Sequence, residues 1–271
     1  MRLQHIQKCG YNIYKHSFKW PGIRLDLGTL LRPYSPPRIW ESLSYTLIPA
    51  LWSRQDMNDK VFLFPAPSAM AHVILKPQIK KSLQRLTICL RSYTELTREY
   101  SLFSLAVSGS DNAFLIFPKS SNVYTYILQE QSAFKTDPET LAWKHTCATW
   151  DSTTGVIQLW INGKLYPRKV SKKGSTIGAE TSIVLGQDQD TFGGGFDINQ
   201  SFVGEISDVH MWNYILTPDE MKGVISGHVK GNHINWNSLN YEIKGNILVQ
   251  PKLYCKSWDC ASSKHKESIA G

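Results

Sequence analysis

The chain has 271 residues, 42% hydrophobic, 11% aromatic and 19% charged, with a formal charge of +8. No window approaches the roughly 18 uninterrupted apolar residues of a membrane helix, so no membrane span is expected. The charge is not a nucleic-acid footprint either. Residues 1–54 hold eight Lys/Arg against two acids, 55–254 hold nineteen against eighteen, and 255–271 hold three against two, so the central region has no field to offer a phosphate backbone.

In chain order, residues 1–54 carry Pro33, Pro36, Pro37 and Pro49 among scattered basic and aromatic residues without a sustained period. They read as a poorly ordered extension. The segment Met1 to Trp20 is polar and basic and does not read as an export signal. From Val61 the pattern turns to short β-like runs separated by turn residues: Val61–Phe64, His72–Leu75, Leu86–Tyr93, Ser101–Val107, Ala113–Phe117 and Val123–Leu128. Thr146–Trp150 and Val156–Ile161 continue the series, and Asn162-Gly163 predicts a type I′ hairpin into Lys164–Val170. Ile183–Leu185, Phe202–Trp212 and Tyr241–Val249 supply further strands. Runs at roughly ten-residue spacing with little helical period predict an all-β antiparallel sandwich. One helix is expected. Thr217-Pro218-Asp219-Glu220 combines an N-cap hydroxyl, a proline at the first helical position and a Glu at the third, and the helix should run to about Ser226 and stop at Gly227. Residues 55–254 thus read as one domain, followed by a loose tail over 255–271.

There are five cysteines, Cys9, Cys89, Cys147, Cys255 and Cys260, so at least one is unpaired or paired between chains. None has zinc-type spacing; His145-x-Cys147 lacks a second ligand pair. Cys89 and Cys147 each lie inside a strand-like run, and the plainest reading has them bridging two strands. Such a link would contribute roughly 4 kcal/mol in the chain-entropy model and implies an oxidising compartment.

The most informative stretch is Gly186-Gln187-Asp188-Gln189-Asp190-Thr191-Phe192-Gly193-Gly194-Gly195-Phe196-Asp197-Ile198-Asn199-Gln200. It concentrates carboxylate and amide oxygens with neither thiolate nor imidazole, the donor set a hard cation such as calcium selects. Its glycines allow a fold tight enough for Asp188, Asp190, Asp197 and Gln200 to converge. A solvated loop with Asx turns has the same composition. Ser110-Asp111-Asn112, at a tip between two strands, offers a second pair of oxygen ligands.

At these residues the sequence resembles the pentraxin family. His145-Thr146-Cys147-Ala148-Thr149-Trp150, Leu185-Gly186-Gln187-Asp188-Gln189-Asp190, Phe202-Val203-Gly204-Glu205-Ile206, Met211-Trp212 and Tyr241-Glu242-Ile243 match its blocks in order, from about Gln55 to Tyr254. The resemblance implies a two-sheet, concanavalin A-like jelly roll with one short helix on one face, secreted and usually assembled as a homo-oligomeric ring of five. It places the family disulfide on Cys89 and Cys147. It also implies two calcium ions per protomer on the face opposite the helix. The first would be held by Asp111, Asn112, Asp188, the Gln189 backbone carbonyl and Asp190, and the second by Asp188, Asp190, Asp197 and Gln200. Phe117 matches the position beside a bound choline-like group. Asp188 stands where these relatives have a Glu bridging both ions, one methylene longer. Glu130 lies a residue or two from where the family places a Glu opposite the choline cation.

The function implied is calcium-dependent, lectin-like recognition of phosphate- or carboxylate-bearing ligands, phosphocholine-like or carbohydrate, on microbial or damaged-cell surfaces, without enzymatic activity. A jelly-roll glycoside hydrolase would use two carboxylates flanking a cleft, but the setting of Asp188 and Asp190 argues for metal ligation. A non-secreted product is a third reading, prompted by the N-terminus. Asn199-Gln200-Ser201 is an N-glycosylation sequon that coincides with the acidic loop.

Overall fold

Alternation of apolar and polar side chains dictates strands with one face inward, and the described residues fold accordingly. The computed structural model describes residues 54–77, 80–137 and 141–253. The expected N-terminal extension and C-terminal tail, with Cys9, Cys255 and Cys260, lie outside them, apart from Arg54. In chain order the strands are β1 (Lys60–Phe64), β2 (His72–Leu75), β3 (Arg85–Tyr93), β4 (Phe103–Val107), β5 (Ser110–Lys119), β6 (Asn122–Ile127), β7 (Glu130–Lys135) and β8 (Lys144–Asp151). They continue with β9 (Val156–Ile161), β10 (Lys164–Leu165), β11 (Lys169–Val170), β12 (Thr181–Leu185), β13 (Gly204–Trp212), β14 (Tyr241–Lys244) and β15 (Leu248–Pro251). The helix α1 spans Pro218–Ile225.

Two antiparallel sheets result. The first runs β10-β9-β8-β3-β13-β1-β15, with β11 also on β9; the second runs β14-β2-β12-β4-β5-β6-β7. Their inner faces share one apolar core that includes Phe62, Phe64, Phe103, Phe114, Trp150 and Phe202. This is the sandwich and single helix expected from the sequence. No helix among the described residues is long and apolar enough to cross a membrane.

The helix carries the predicted capping box: the Thr217 hydroxyl accepts from the Glu220 backbone, and the Glu220 carboxylate accepts from the Thr217 backbone at 2.8 Å. Met221 and Val224 pack on the outer face of the first sheet with Trp212, Leu216 and the Cys89–Cys147 disulfide. The two cysteines are directly opposed on β3 and β8, with Cα atoms 4.1 Å apart and a sequence separation of 58. At the β9–β10 hairpin Asn162 and Gly163 have φ of 50° and 81°, as a type I′ turn demands.

Two expected strands are corrected. Lys164–Val170 divides into β10 and β11 around Pro167, which has no N–H for the ladder. Tyr241–Val249 divides at Gly245, whose φ of 73° turns the chain from β14 in the second sheet to β15 in the first. Strand β7 has no strong apolar run, and the sequence reading missed it. Its hairpin turns on Leu128 and Gln129, two non-glycine residues at φ of 45° and 73°.

Candidate metal and ligand site

The acidic loop leaves β12 through Gly186. A Cβ there would stand 2.3 Å from the Phe64 ring, and φ is 83°, so only glycine serves. Two buried glutamines then fasten the loop to the sheet. Gln187 donates through its side-chain amide to the carbonyls of Ser68 and Ala71, the latter at 3.0 Å. Gln189 donates to the Ser104 carbonyl at 3.1 Å and the Ser182 carbonyl at 3.2 Å, and accepts from the Gly193 N–H at 2.9 Å. Its side chain is thus a scaffold, and any part Gln189 takes in holding a cation falls to its backbone carbonyl. Thr191 and Gly194 exchange backbone hydrogen bonds at 3.2 and 3.1 Å, closing a tight turn with Phe192 exposed at its tip. Gly195 at φ 75° brings its backbone against Asp190. Asp197 caps the short 3-10 turn Ile198–Gln200, accepting from the Asn199 N–H at 2.9 Å.

Asp111 and Asn112 begin β5. The strained β6–β7 turn packs on them: Gln129 N–H donates to the Asn112 carbonyl at 3.0 Å, Leu128 N–H to the Ala113 carbonyl at 3.1 Å, and the Gln129 side-chain amide bonds the Asp111 carboxylate. A backbone held at positive φ in two consecutive L-residues is an energetic cost that recurs at functional sites.

The carboxylates act on one another. Burial pushes the Asp188 carboxyl up to about 7, helped by repulsion from Asp190 and then Asp111, against a lowering hydrogen bond from the Gln189 backbone. Asp190 is also raised, by burial and then by Asp111 and Asp197. Asp111, Asp188, Asp190 and Asp197 therefore share one electrostatic neighbourhood. Among the described residues, however, three His, Cys, Asp or Glu ligand atoms come within 4.8 Å of one another only at Cys89, His145 and Cys147. That group binds no metal through sulfur, because both sulfurs are in the disulfide and His145 makes only a 3.8 Å contact to one of them. No three of the loop acids meet within that distance, in keeping with like charges in a poorly solvated loop.

Five buried side-chain oxygens on these two segments have no hydrogen-bond partner: Ser110 Oγ, Asn112 Oδ1, Gln187 Oε1, Asp188 Oδ1 and Gln200 Oε1. Buried acceptors are rarely left so. Amide, carboxylate and hydroxyl groups, all oxygen donors, make up the donor set of a hard divalent cation, so the residues present fit such an ion.

The flanking surface differs in part from expectation. Phe117 is 7% exposed but outside the core cluster; Phe114 and Ile116 face inward, so Phe117 lies on the outer face of the second sheet. Its cross-strand partner is Tyr124, and Leu115 faces Tyr126 in the next row. Burial, and then the Asp188 charge, raise the Tyr126 hydroxyl, which ties this row to the acidic loop. The sequence reading passed over Tyr126. The alternation Val123, Thr125, Ile127 inward and Tyr124, Tyr126 outward would have marked it. Glu130 is not brought to this row. It pairs with Ile127, a core residue, and reaches Lys172 at 3.7 Å, whereas Gln131 stands opposite Tyr126.

The Pentaxin family model matches residues 60–251. The chain is 56% identical over 210 residues to C-reactive protein of Xenopus laevis, covering 76% of this chain and 88% of that protein. To serum amyloid P-component of Mus musculus it is 41% identical over 218 residues, 80% of this chain and 97% of the relative. Among solved structures, the native heptameric SAP-like pentraxin from Limulus polyphemus superposes with a TM-score of 0.69 at 26% identity, covering 74% of this chain and 99% of that one. On matches of that extent and identity, the chain belongs to the pentraxin family.

Proposed function

We infer that the protein is a secreted, calcium-dependent recognition module, formed by residues 55–254, that binds anionic groups on cell or microbial surfaces without turning them over. The observation that carries this reading is the set of partnerless buried oxygens, those of Asn112, Asp188 and Gln200 among them, beside mutually repelling carboxylates. The first ion would be held by Asp111, Asn112, Asp188, the Gln189 carbonyl and Asp190, and the second by Asp188, Asp190, Asp197 and Gln200. Bound calcium would supply positive charge and open coordination positions for a phosphate or carboxylate oxygen. The chain's own part is to hold the oxygens in place through Gln187 and Gln189, and to offer Phe117, Tyr124 and Tyr126 as an apolar and hydroxyl-bearing wall beside the anion.

A homo-oligomeric ring is part of the reading, supported by the heptameric relative; five subunits are expected from the family resemblance. Several weak sites on one plane gain avidity on a repetitive surface. Isothermal titration of the purified protein with calcium tests the proposal. Binding should be present in the wild type and lost in the double variant Asp188→Asn, Asp190→Asn; a wild type that binds no calcium refutes it.

A further inference from the structure

On the other sheet, beneath the C-terminal end of α1, lies a cavity of about 430 Å3, within the size range of small-ligand sites. Its floor is the outer face of β3, β8 and β13. Arg91 and His145 are cross-strand partners there, beside the disulfide pair, and Asp208 and His210 rise from the β13 bulge. The charges do not balance. Asp208 is the one carboxylate lining the cavity, against the cations of Arg91, Lys230 and Lys252, with the Glu205 carboxylate also acting on Lys252 from outside the lining. Arg91 reaches Asp208 at 3.3 Å and the Ile225 carbonyl at the helix end at 2.7 Å. Lys252, with its side chain only 6% exposed, meets the same Asp208 carboxylate and lies 4.9 Å over the Trp143 ring. Lys230 forms no ion pair with any acid among the described residues.

The histidines add donors rather than negative charge. His210 Nδ1 accepts from the Gly231 N–H at 3.2 Å and the Trp236 N–H at 3.4 Å, so the neutral ring carries its proton on Nε2 and can only donate there. Burial holds both His145 and His210 at about 4, so both rings are neutral at pH 7.

We propose that this cavity is a second binding site, independent of calcium, for a small organic anion. A carboxylate or phosphate head would sit between Lys252, Arg91 and Lys230, with a short apolar or planar body against Ile225 and the Trp143 edge. A cationic pocket with low-dielectric walls concentrates counter-ions; the acid in its lining is already shared by two cations, and Lys230 has no acid partner among the described residues. The site lies on the sheet opposite the acidic loop and does not rest on the function proposed above.

The test is calorimetric titration of the full-length protein, with calcium chelated throughout, using inorganic phosphate in one series and benzoate in another. Saturable binding of either is expected, weakened about tenfold or more in Lys230→Glu, an exposed rim residue whose charge reversal adds repulsion at the mouth. The double variant Asp188→Asn, Asp190→Asn should bind as the wild type does. Benzoate binding tighter than phosphate would assign the carboxylate with a planar body, and the reverse order a phosphate head. No saturable binding of either probe, equal binding in Lys230→Glu, or loss in the double Asp variant would overturn the proposal.

Discussion

Asp188 offers a test in which a mutation at the site should strengthen the fold. Its carboxyl is 6% exposed, one oxygen has no partner, and its pKa rises from 3.8 to about 7. An acid raised in the folded state stabilises the fold only while protonated. Its stabilising proton is fully in place below the unfolded pKa near 4, and stability falls as pH climbs to about 7. At about 1.4 kcal/mol per unit, the ionised group costs the calcium-free protein about 4 kcal/mol above pH 7, a ceiling because Asp190 and Asp111 can swing away. At pH 5 the unfolded chain is ionised and the folded one is not, leaving about 2 kcal/mol. The amide introduced by Asp188→Asn cannot ionise and has the same shape as the carboxyl it replaces.

In chelator, Asp188→Asn should therefore melt higher than the wild type by on the order of 10 °C at pH 8 and about half that at pH 5. Added calcium should raise the wild-type melting temperature and leave that of the variant nearly unchanged. Thermal unfolding followed by circular dichroism at the two pH values, with and without calcium, reads all of this. If the variant in chelator at pH 8 melts at or below the wild type, Asp188 is not under electrostatic strain, and the reasoning from its orphaned oxygen fails.

The same protonation predicts that calcium affinity falls as pH drops through about 7, with close to one proton released per protein on binding at pH 6; titration in buffers of different ionisation enthalpy measures it. Cys89→Ala with Cys147→Ala should cost about 4 kcal/mol in urea unfolding, and reductant should destabilise the wild type by a similar amount. Thr217→Ala, which removes half of the capping box, should cost about 1 kcal/mol by the same assay. For calcium-dependent capture on a phosphocholine surface, Tyr126→Ala should weaken binding several-fold while Glu130→Gln leaves it unchanged, since Glu130 faces Lys172 and not the Tyr126 row.

What the sequence made legible follows from how local each signal is. The capping box, the Asn162-Gly163 hairpin and the acidic-loop composition lie in a few consecutive residues, so the chain itself states them. Strand β7 and the Glu130 position depend on a turn at Leu128-Gln129, where neither residue prefers positive φ. The conformation is enforced by Asp111, Asn112 and Ala113, nearly twenty residues upstream. A shift of one residue in that hairpin moves every side chain to the opposite face, and the family resemblance already set Glu130 a residue or two from the matching position, so the pairing of Tyr126 with Gln131 is visible only in the structure. The division of labour within the loop was hidden for a related reason. Gln187, Gln189 and Gln200 contribute the same oxygen to composition, yet only contacts with Ser68, Ala71, Ser104 and Ser182 mark the first two as scaffold amides, while the oxygens of Gln187 and Gln200 are both left unpartnered. Those contacts bear on the shorter Asp188 as well. With Gln187 and Gln189 pinned on either side of it, the loop has little freedom to slide inward and make up the missing methylene of a Glu. Restoring that reach in Asp188→Glu should tighten the weaker calcium step, read by titration, and leave the scaffold hydrogen bonds in place.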